Sequence, residues 1–118
     1  MTNQTLIEKI KSAPDTVSFN EVIDYIMSTY QYSPAQFYNG HNDDKVTNEA
    51  GTNEGSCKIF AFAQLAGLSE QETLNCFGDY YRHDVLQHPD NTDHANIRTF
   101  MRHGWSGIKF QSAALAAR

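Results

Sequence analysis

Apolar residues recur at helical spacing along much of this chain. Leu6, Ile7 and Ile10 form a short amphipathic stripe, and Pro14 ends it because proline cannot continue a helix. The next stripe begins behind a Ser-x-x-Glu capping box, in which serine and glutamate side chains satisfy free backbone N–H groups at a helix start. This pattern predicts a second helix with an inward face of Phe19, Val22, Ile23, Ile26, Met27 and Tyr30.

The most apolar segment runs from about Ser56 to Ala66 and is hydrophobic on nearly every side. Because such a helix belongs in a protein interior, we expect it at the centre of the core, with Phe60 and Phe62 buried on two different sides. A fourth helix follows a second capping box and stops before Pro89. Its inward positions are Leu74, Phe77, Tyr81 and Val85.

The last part of the chain predicts a fifth helix and a strand. The helix ends at about His103, where Gly104 follows, and its inward residues are Ile97, Phe100 and Met101. In the tail, apolar and polar residues alternate around Ile108 and Phe110, which is typical of a short strand. This strand can pair with the region around Phe37 near the middle of the chain.

Length and composition set the fold class. The chain has 118 residues, of which 40% are hydrophobic and 19% are charged, and these values are typical of one globular domain. We therefore predict a single domain over residues 1–118. Its class is α+β and predominantly α, with about five helices packed around the apolar helix and a minimal pair of strands.

Charge and hydropathy exclude several partners. The net charge is -5, and the nine Lys and Arg residues do not cluster in a run, which argues against binding to a phosphate backbone. No apolar run approaches the roughly 20 residues that a membrane span needs. The first residues lack a basic start followed by a long apolar stretch, so we expect no cleavable signal peptide. We also expect a monomer.

Several segments of the chain are distinctive: FYNG at 37–40, NEAGTNEGSCKIFAFAQLAGLS at 48–69, TLNCFGDYYRHDVL at 73–86, DHANIRTFMRHGW at 93–105 and GIKF at 107–110. Over nearly the whole chain they resemble the HopJ type III effector family. The resemblance implies a small bacterial domain similar to a secreted effector of plant pathogens, made in the bacterial cytoplasm, with a host or bacterial protein as its partner. It implies no enzyme activity, and it leaves a household bacterial role open.

Cys57 lies where a polar, glycine-bearing loop meets the apolar helix. The positive end of a helix favours a thiolate, as in papain-like enzymes, but free cysteines are also among the most buried residues. A cysteine nucleophile needs a histidine and often a group that orients it, and His94 with Asp93 or Asn96 supplies these types. We expect a buried structural thiol in a protein-binding or interaction module. A hydrolase or transferase that uses Cys57, His94 and Asp93 is the alternative.

Three donors follow one another on the fifth helix at intervals of four residues, namely His94, Arg98 and Arg102. We expect this ridge to hold the loop of residues 48–55, because that loop offers many acceptors and little apolar area, and a buried arginine is normally paired. The expected acceptors in and near this loop are Asn39, Asn53 and Glu54.

Histidines and aspartates are frequent around the turn between the last two helices. Zinc sites usually show tight paired spacings such as His-x-x-x-His on one helix, and this chain has no such pair. We therefore predict no metal site and no cofactor. The residues of this turn are His83, His88, His94 and His103 with Asp79, Asp84, Asp90 and Asp93.

Overall fold

Helices and two small antiparallel sheets make up the computed structural model, which describes residues 3–117. This mostly helical α+β fold confirms the predicted class. The α-helices are α1 Asn3–Ser12, α2 Phe19–Thr29, α3 Glu54–Ala66, α4 Glu70–Asn75 and α5 Ala95–His103, and a π-helix covers Tyr80–Val85. The strands are β1 Tyr30–Tyr32, β2 Phe37–Asn39, β3 Val46–Asn48, β4 Lys109–Phe110 and β5 Leu115–Ala117. Short 3-10 turns lie at Pro14–Thr16, Asn42–Asp44 and Gly104–Gly107.

Both predicted capping boxes are present. At the start of α2, the backbone N–H of Glu21 donates to Ser18 Oγ at 3.1 Å, and the Glu21 carboxylate accepts from the backbone N–H of Ser18 at 3.0 Å. Ser69 and Glu72 make the same reciprocal pair at the start of α4. These side chains satisfy N–H groups that have no partner within their own helix.

The interior face of α3 is aromatic. Phe60 and Phe62 are both fully buried, as predicted. The Phe60 ring lies 5.0 Å from Phe100, and the Phe62 ring lies 5.8 Å from Tyr25, in each case between centroids. At the end of the same helix, however, Leu65 is 59% exposed. The placement of α3 at the centre of the core therefore stays a prediction.

Two methionines expected on inward faces are exposed instead. Met27 in α2 and Met101 in α5 both face the surface in good part. Each follows a buried residue, Ile26 or Phe100, and consecutive helical positions point about 100° apart. The sequence prediction counted these two apolar residues as part of the inward face. The face that the core covers is narrower than predicted and leaves both out.

The predicted strand pair is confirmed. In the antiparallel pairing of β2 with β4, Phe37 lies opposite Phe110 and Tyr38 lies opposite Lys109, and the two phenylalanine rings stack at 5.0 Å between centroids. The hairpin partner β3 extends this sheet on the other side of β2, and β1 pairs with β5 in a second sheet. Three-residue strands are too short for alternation to reveal, so the sequence pattern missed β1, β3 and β5.

The predicted fourth helix is divided in two. It breaks around Gly78, which has a left-handed φ of +61° and lies against α2 so closely that an added Cβ would stand 2.7 Å from the backbone nitrogen of Phe19. Only glycine tolerates both conditions at once. Beyond the break the chain continues as the π-helix.

The burial of α3 gives a stability prediction. Phe60→Ala and Phe62→Ala should each lower the free energy of unfolding by about 3–5 kcal/mol, because each removes a fully buried ring and leaves a cavity. Leu65→Ala on the same helix is the matched control and should change stability by less than about 0.5 kcal/mol, since its side chain is largely exposed. Denaturant midpoints measure all three. Equal effects of the three substitutions would show that α3 does not carry the core.

Candidate functional site

Cys57 lies inside the protein. Its exposure is 1%, and its Sγ donates to the carbonyl oxygen of Ala35 at 3.7 Å. Burial raises the pKa of the Cys57 thiol above its ordinary value, and the contact with Ala35 offsets only part of this effect. A neutral, buried thiol is a poor nucleophile. These observations agree with the expected structural thiol.

His94 is bound to other partners. Its Nε2 lies 2.9 Å from Oδ2 of Asp84 and 3.8 Å from Oδ2 of Asp93, and its ring packs against Tyr80 at 5.2 Å between centroids. Within the described residues, no hydrogen bond connects His94 to Cys57. The structure therefore brings His94 and Asp93 together and gives Cys57 no direct link to them.

Arg98 is a buried cation that organises the turn before α5. Its side chain is 9% exposed. It donates to the backbone oxygen of Asp93 at 2.6 Å and to Oδ1 of Asp93 at 2.7 Å. Further bonds reach the backbone oxygens of His88 at 3.0 Å, Pro89 at 3.2 Å and Asp84 at 3.3 Å. The guanidinium lowers the pKa of the Asp93 carboxyl chiefly through the side-chain hydrogen bond. One residue thus fixes both ends of the segment from 84 to 93.

Arg102 and His103 bind an acidic side chain on another loop. Two nitrogens of Arg102 reach the two oxygens of Asp44 at 2.7 and 3.0 Å, and Nε2 of His103 lies 2.7 Å from Asp44 Oδ2. The hydrogen bond from Arg102, then that from His103, lowers the pKa of Asp44 to about 2. This cluster attaches the end of α5 to the 3-10 turn beside β2.

A buried amide network connects α5 to the sheet. The side chains of Asn48 and Asn96 form a reciprocal pair with N···O distances of 3.0 and 2.8 Å. Asn39 Nδ2 donates to both the backbone oxygen and Oδ1 of Asn96, at 2.8 and 3.1 Å. Asn53 Nδ2 donates to Asn48 Oδ1 at 2.7 Å. Asparagine partners, not arginines, therefore hold Asn39 and Asn53.

The predicted attachment of loop 48–55 is wrong in its donors. His94 and Arg98 bind the turn at 84–93, and Arg102 binds Asp44. The loop is held by Asn48 and by a turn in which Thr52 donates to the backbone oxygen of Glu49. Helical spacing placed the three donors on one ridge, but the backbone oxygens that Arg98 binds belong to the segment from 84 to 93 and not to loop 48–55. Glu54 is exposed in the first turn of α3.

A pocket of about 350 Å³ lies between the N-termini of α3 and α5. Cys57 is not one of its lining residues. On one side the pocket is lined by the residue before α3 and by the first turn of that helix. On the other side it is lined by the residue before α5 and by the first turn of α5, and aromatic rings form part of the wall. The lining residues are Phe19, Val46, Asn53, Gly55, Ser56, Phe77, Tyr80, His94, Ala95, Asn96 and Ile97.

Both helix starts at this pocket lack a side-chain cap. The residues before α3 and α5 are Asn53 and His94, both in the left-handed conformation, and neither side chain accepts a hydrogen bond from its helix. A helix N-terminus carries free N–H groups and about half a positive charge. The pocket thus receives two positive helix ends, whereas α2 and α4 have closed capping boxes.

This chain is similar in sequence to a known protein family and in fold to a solved structure. Residues 3–115 match the family model described as HopJ type III effector protein. The chain belongs to the HopJ family. This chain is similar to the protein in the "Crystal structure of unknown function protein VPA0580", with a TM-score of 0.94 and 45% sequence identity between the two. The match covers 100% of this chain and 95% of that chain. No curated protein matches the chain in sequence. For this HopJ domain the comparisons carry no specific biochemistry.

Helix length bears on membrane association. None of the helices in the described part of this HopJ chain combines the length and apolar character that crossing a bilayer requires.

Sequence reasoning missed the roles of several residues that line the pocket or bond to its lining residues. Ser56 and Tyr80 gave no motif, and Asn48 looked like an ordinary polar position. Asp84 was noted only among the polar residues of the turn, and Asn96 only as a possible partner of His94. Asn96 had one usable signal, because a short amide among Ile97 and other apolar residues of a predicted inward face is unusual unless it is paired. Its partner lies 48 residues away along the chain, which no local pattern reveals.

Thiol reactivity tests the placement of Cys57. Iodoacetamide at neutral pH should label the native protein slowly, because burial raises the pKa of Cys57 and raises that of Cys76 to about 12. Both thiols are free, so denatured protein should take up two labels rapidly and serves as the control. Fast native labelling of Cys57 alone would restore the cysteine-enzyme alternative.

The two arginines of α5 form a matched pair for a second test. Arg98→Met should lower the free energy of unfolding by at least about 2 kcal/mol, because it strands buried backbone oxygens while keeping the apolar stem. Arg102→Met removes an exposed ion pair and should have a much smaller effect. Hydrogen exchange should increase in residues 84–94 of the Arg98 variant and stay slow in 48–55. Faster exchange in 48–55 alone would favour the original loop attachment.

Proposed function

We propose that this HopJ domain is a protein-binding module whose pocket between α3 and α5 accepts an acidic side chain of its partner. The observation that carries the proposal is the meeting of two uncapped helix N-termini at one cavity. A carboxylate is the side chain that best complements such N–H groups, since it accepts several hydrogen bonds and is attracted by both helix dipoles.

The first turns that border the pocket supply the donors. Among the described residues, no hydrogen bond is made by the backbone N–H groups of Gly55, Ser56, Ala95 or Asn96. The hydroxyl of Ser56 likewise has no hydrogen-bond partner among the described residues. A carboxylate in the pocket would therefore satisfy groups that otherwise depend on water.

The aromatic wall supports a protein rather than a free ion as the ligand. Phe19 packs edge-on against Tyr80 at 5.1 Å between centroids, and Tyr80 is 42% exposed. Aromatic side chains that remain partly exposed beside a pocket are suited to packing against apolar parts of a partner. The pocket volume of about 350 Å³ accommodates one or two side chains.

The cysteine-dependent alternative has less support. A nucleophile must reach its substrate and its base, whereas Cys57 is buried and bonds to Ala35, and His94 bonds to Asp84. A binding role requires none of these groups to react.

Two further parts of this proposal concern the partner of the domain and its location. We propose that the partner is a host or bacterial protein, and that the domain is made as a monomer in the bacterial cytoplasm and secreted through a type III system. The HopJ family description is the support for secretion. The net charge of -5 supports a protein rather than a nucleic-acid partner.

Amide NMR with blocked dipeptides tests the pocket. Titration with acetyl-Phe-Glu-amide should shift the backbone amide signals of Gly55, Ser56, Ala95 and Asn96, with a dissociation constant on the order of millimolar. Acetyl-Phe-Gln-amide has the same shape without the charge and should bind much more weakly. Equal shifts with the two peptides, or none with either, would contradict an acidic ligand.

A matched pair of variants then locates the site. Ala95 is exposed and lines the pocket, so Ala95→Glu should place a tethered carboxylate at the start of α5 and block the peptide. It should not destabilise the fold, because an acidic residue in a first turn is favourable. Ala95→Gln should retain most of the binding. Undiminished binding by Ala95→Glu would place the peptide elsewhere.

A further inference from the structure

Three potential metal ligands from two separate segments meet beside the pocket. Asp84 lies on the π-helix, whereas Asp93 and His94 immediately precede α5. The nearest ligand atoms of these side chains all lie within 4.8 Å of one another. We infer that Asp84, Asp93 and His94 form a binding site for a divalent transition-metal ion of the zinc type. This inference goes beyond the proposed binding of a carboxylate and does not depend on it.

The spacing of the ligand atoms suits a small cation. Ligands at about 2.0–2.2 Å around a tetrahedral zinc ion stand roughly 3.3–3.6 Å apart. Nε2 of His94 lies 2.9 Å from Oδ2 of Asp84 and 3.8 Å from Oδ2 of Asp93, which brackets this range. The third pair, between the carboxylate oxygens of Asp84 and Asp93, lies within 4.8 Å. Shifts of up to about 1 Å in these partly exposed side chains would therefore complete the arrangement.

The donor set favours zinc over the alkaline-earth ions. One imidazole nitrogen with two carboxylate oxygens suits zinc and its transition-metal neighbours, whereas magnesium and calcium prefer oxygen ligands alone. Three protein ligands leave the fourth tetrahedral position open for water or for a group of a bound partner.

A buried residue outside the three ligands holds two of them in place. Arg98 binds Oδ1 of Asp93 and leaves Oδ2 on the side of His94, and it also binds the backbone oxygen of Asp84. Metal-binding carboxylates are commonly oriented by such hydrogen bonds to the second oxygen. Arg98 is therefore a positioning residue, and its burial keeps this framework rigid.

The imidazole is oriented by its own surroundings. His94 has a left-handed φ of 53°, and its ring packs on Tyr80 at 5.2 Å. The side chains of Asp84, Asp93, His94 and Arg98 together carry a net charge of -1 when the imidazole is neutral. A dication would replace the hydrogen bond between His94 and Asp84 with two metal–ligand bonds.

Zinc chloride alone is the probe for this site. Isothermal titration of the chelator-treated protein should show saturable one-to-one binding with a dissociation constant on the order of micromolar, and zinc should raise the melting temperature. A tenfold excess of magnesium should not displace the zinc. No saturable binding, or displacement by magnesium, would overturn the inference, because the first excludes a site and the second indicates only an acidic surface.

Two variants locate the ligands. His94→Asn retains a residue that tolerates the left-handed conformation, and Asp84→Asn keeps the shape of the side chain. Each should weaken zinc binding by more than about tenfold, since even the loss of a residue behind a ligand costs roughly 10–100-fold. His83→Gln removes an exposed histidine of the same π-helix and should leave the affinity unchanged. Wild-type affinity in both ligand variants, or loss in His83→Gln alone, would show that zinc binds elsewhere.

The two proposals fail separately. The dipeptide titration uses chelator-treated protein, so its result does not depend on zinc. Zinc binding in turn is measured without peptide. A negative result in one of the two experiments therefore leaves the other proposal standing.

Discussion

The amide pair between Asn48 and Asn96 is the interaction on which the arrangement of this protein depends. Both side chains are buried, and each provides a donor and an acceptor to the other. Because a buried amide without a partner costs about 1–3 kcal/mol, the first turn of α5 can pack on the sheet only in the register that completes the pair. Asn39 adds two more bonds to Asn96 and fixes β2 in the same way. The position of His94, two residues earlier, follows from this attachment.

The sequence predicted those features that depend on neighbours along the chain. Both capping boxes, the burial of Phe60 and Phe62, and the pairing of Phe37 with Phe110 follow from periodicity and local chemistry. The partners of Arg98 did not, because helical spacing shows which donors share a face but not which backbone segment approaches that face. The break at Gly78 was hidden for a related reason, since only the close approach of α2 makes glycine necessary there.

Cys57 illustrates how two readings of one local pattern are separated by the environment. A helix start lowers the pKa of a thiol, and burial raises it. In this protein burial raises the pKa of Cys57, and the hydrogen bond to Ala35 offsets only part of that rise. The helix dipole is available to Ser56, which lines the pocket, but a serine hydroxyl needs a base that no hydrogen bond supplies to it within the described residues. The helix start is thus better suited to holding an anion than to activating a nucleophile.

Leaving the starts of α3 and α5 uncapped costs stability, and this cost indicates that the free N–H groups have a role. Asparagine is among the best N-cap residues, and an effective cap contributes about 1 kcal/mol. Asn53 forgoes that bond, since its amide donates to Asn48 while its backbone takes the left-handed form. His94 likewise leaves α5 uncapped and directs Nε2 toward Asp84. In both places a side chain that could close a helix start serves the framework around the pocket instead. The free N–H groups belong to residues that line the cavity. The acidic group that we propose as its ligand would meet them there, and the proposed cation at Asp84, Asp93 and His94 would strengthen that attraction.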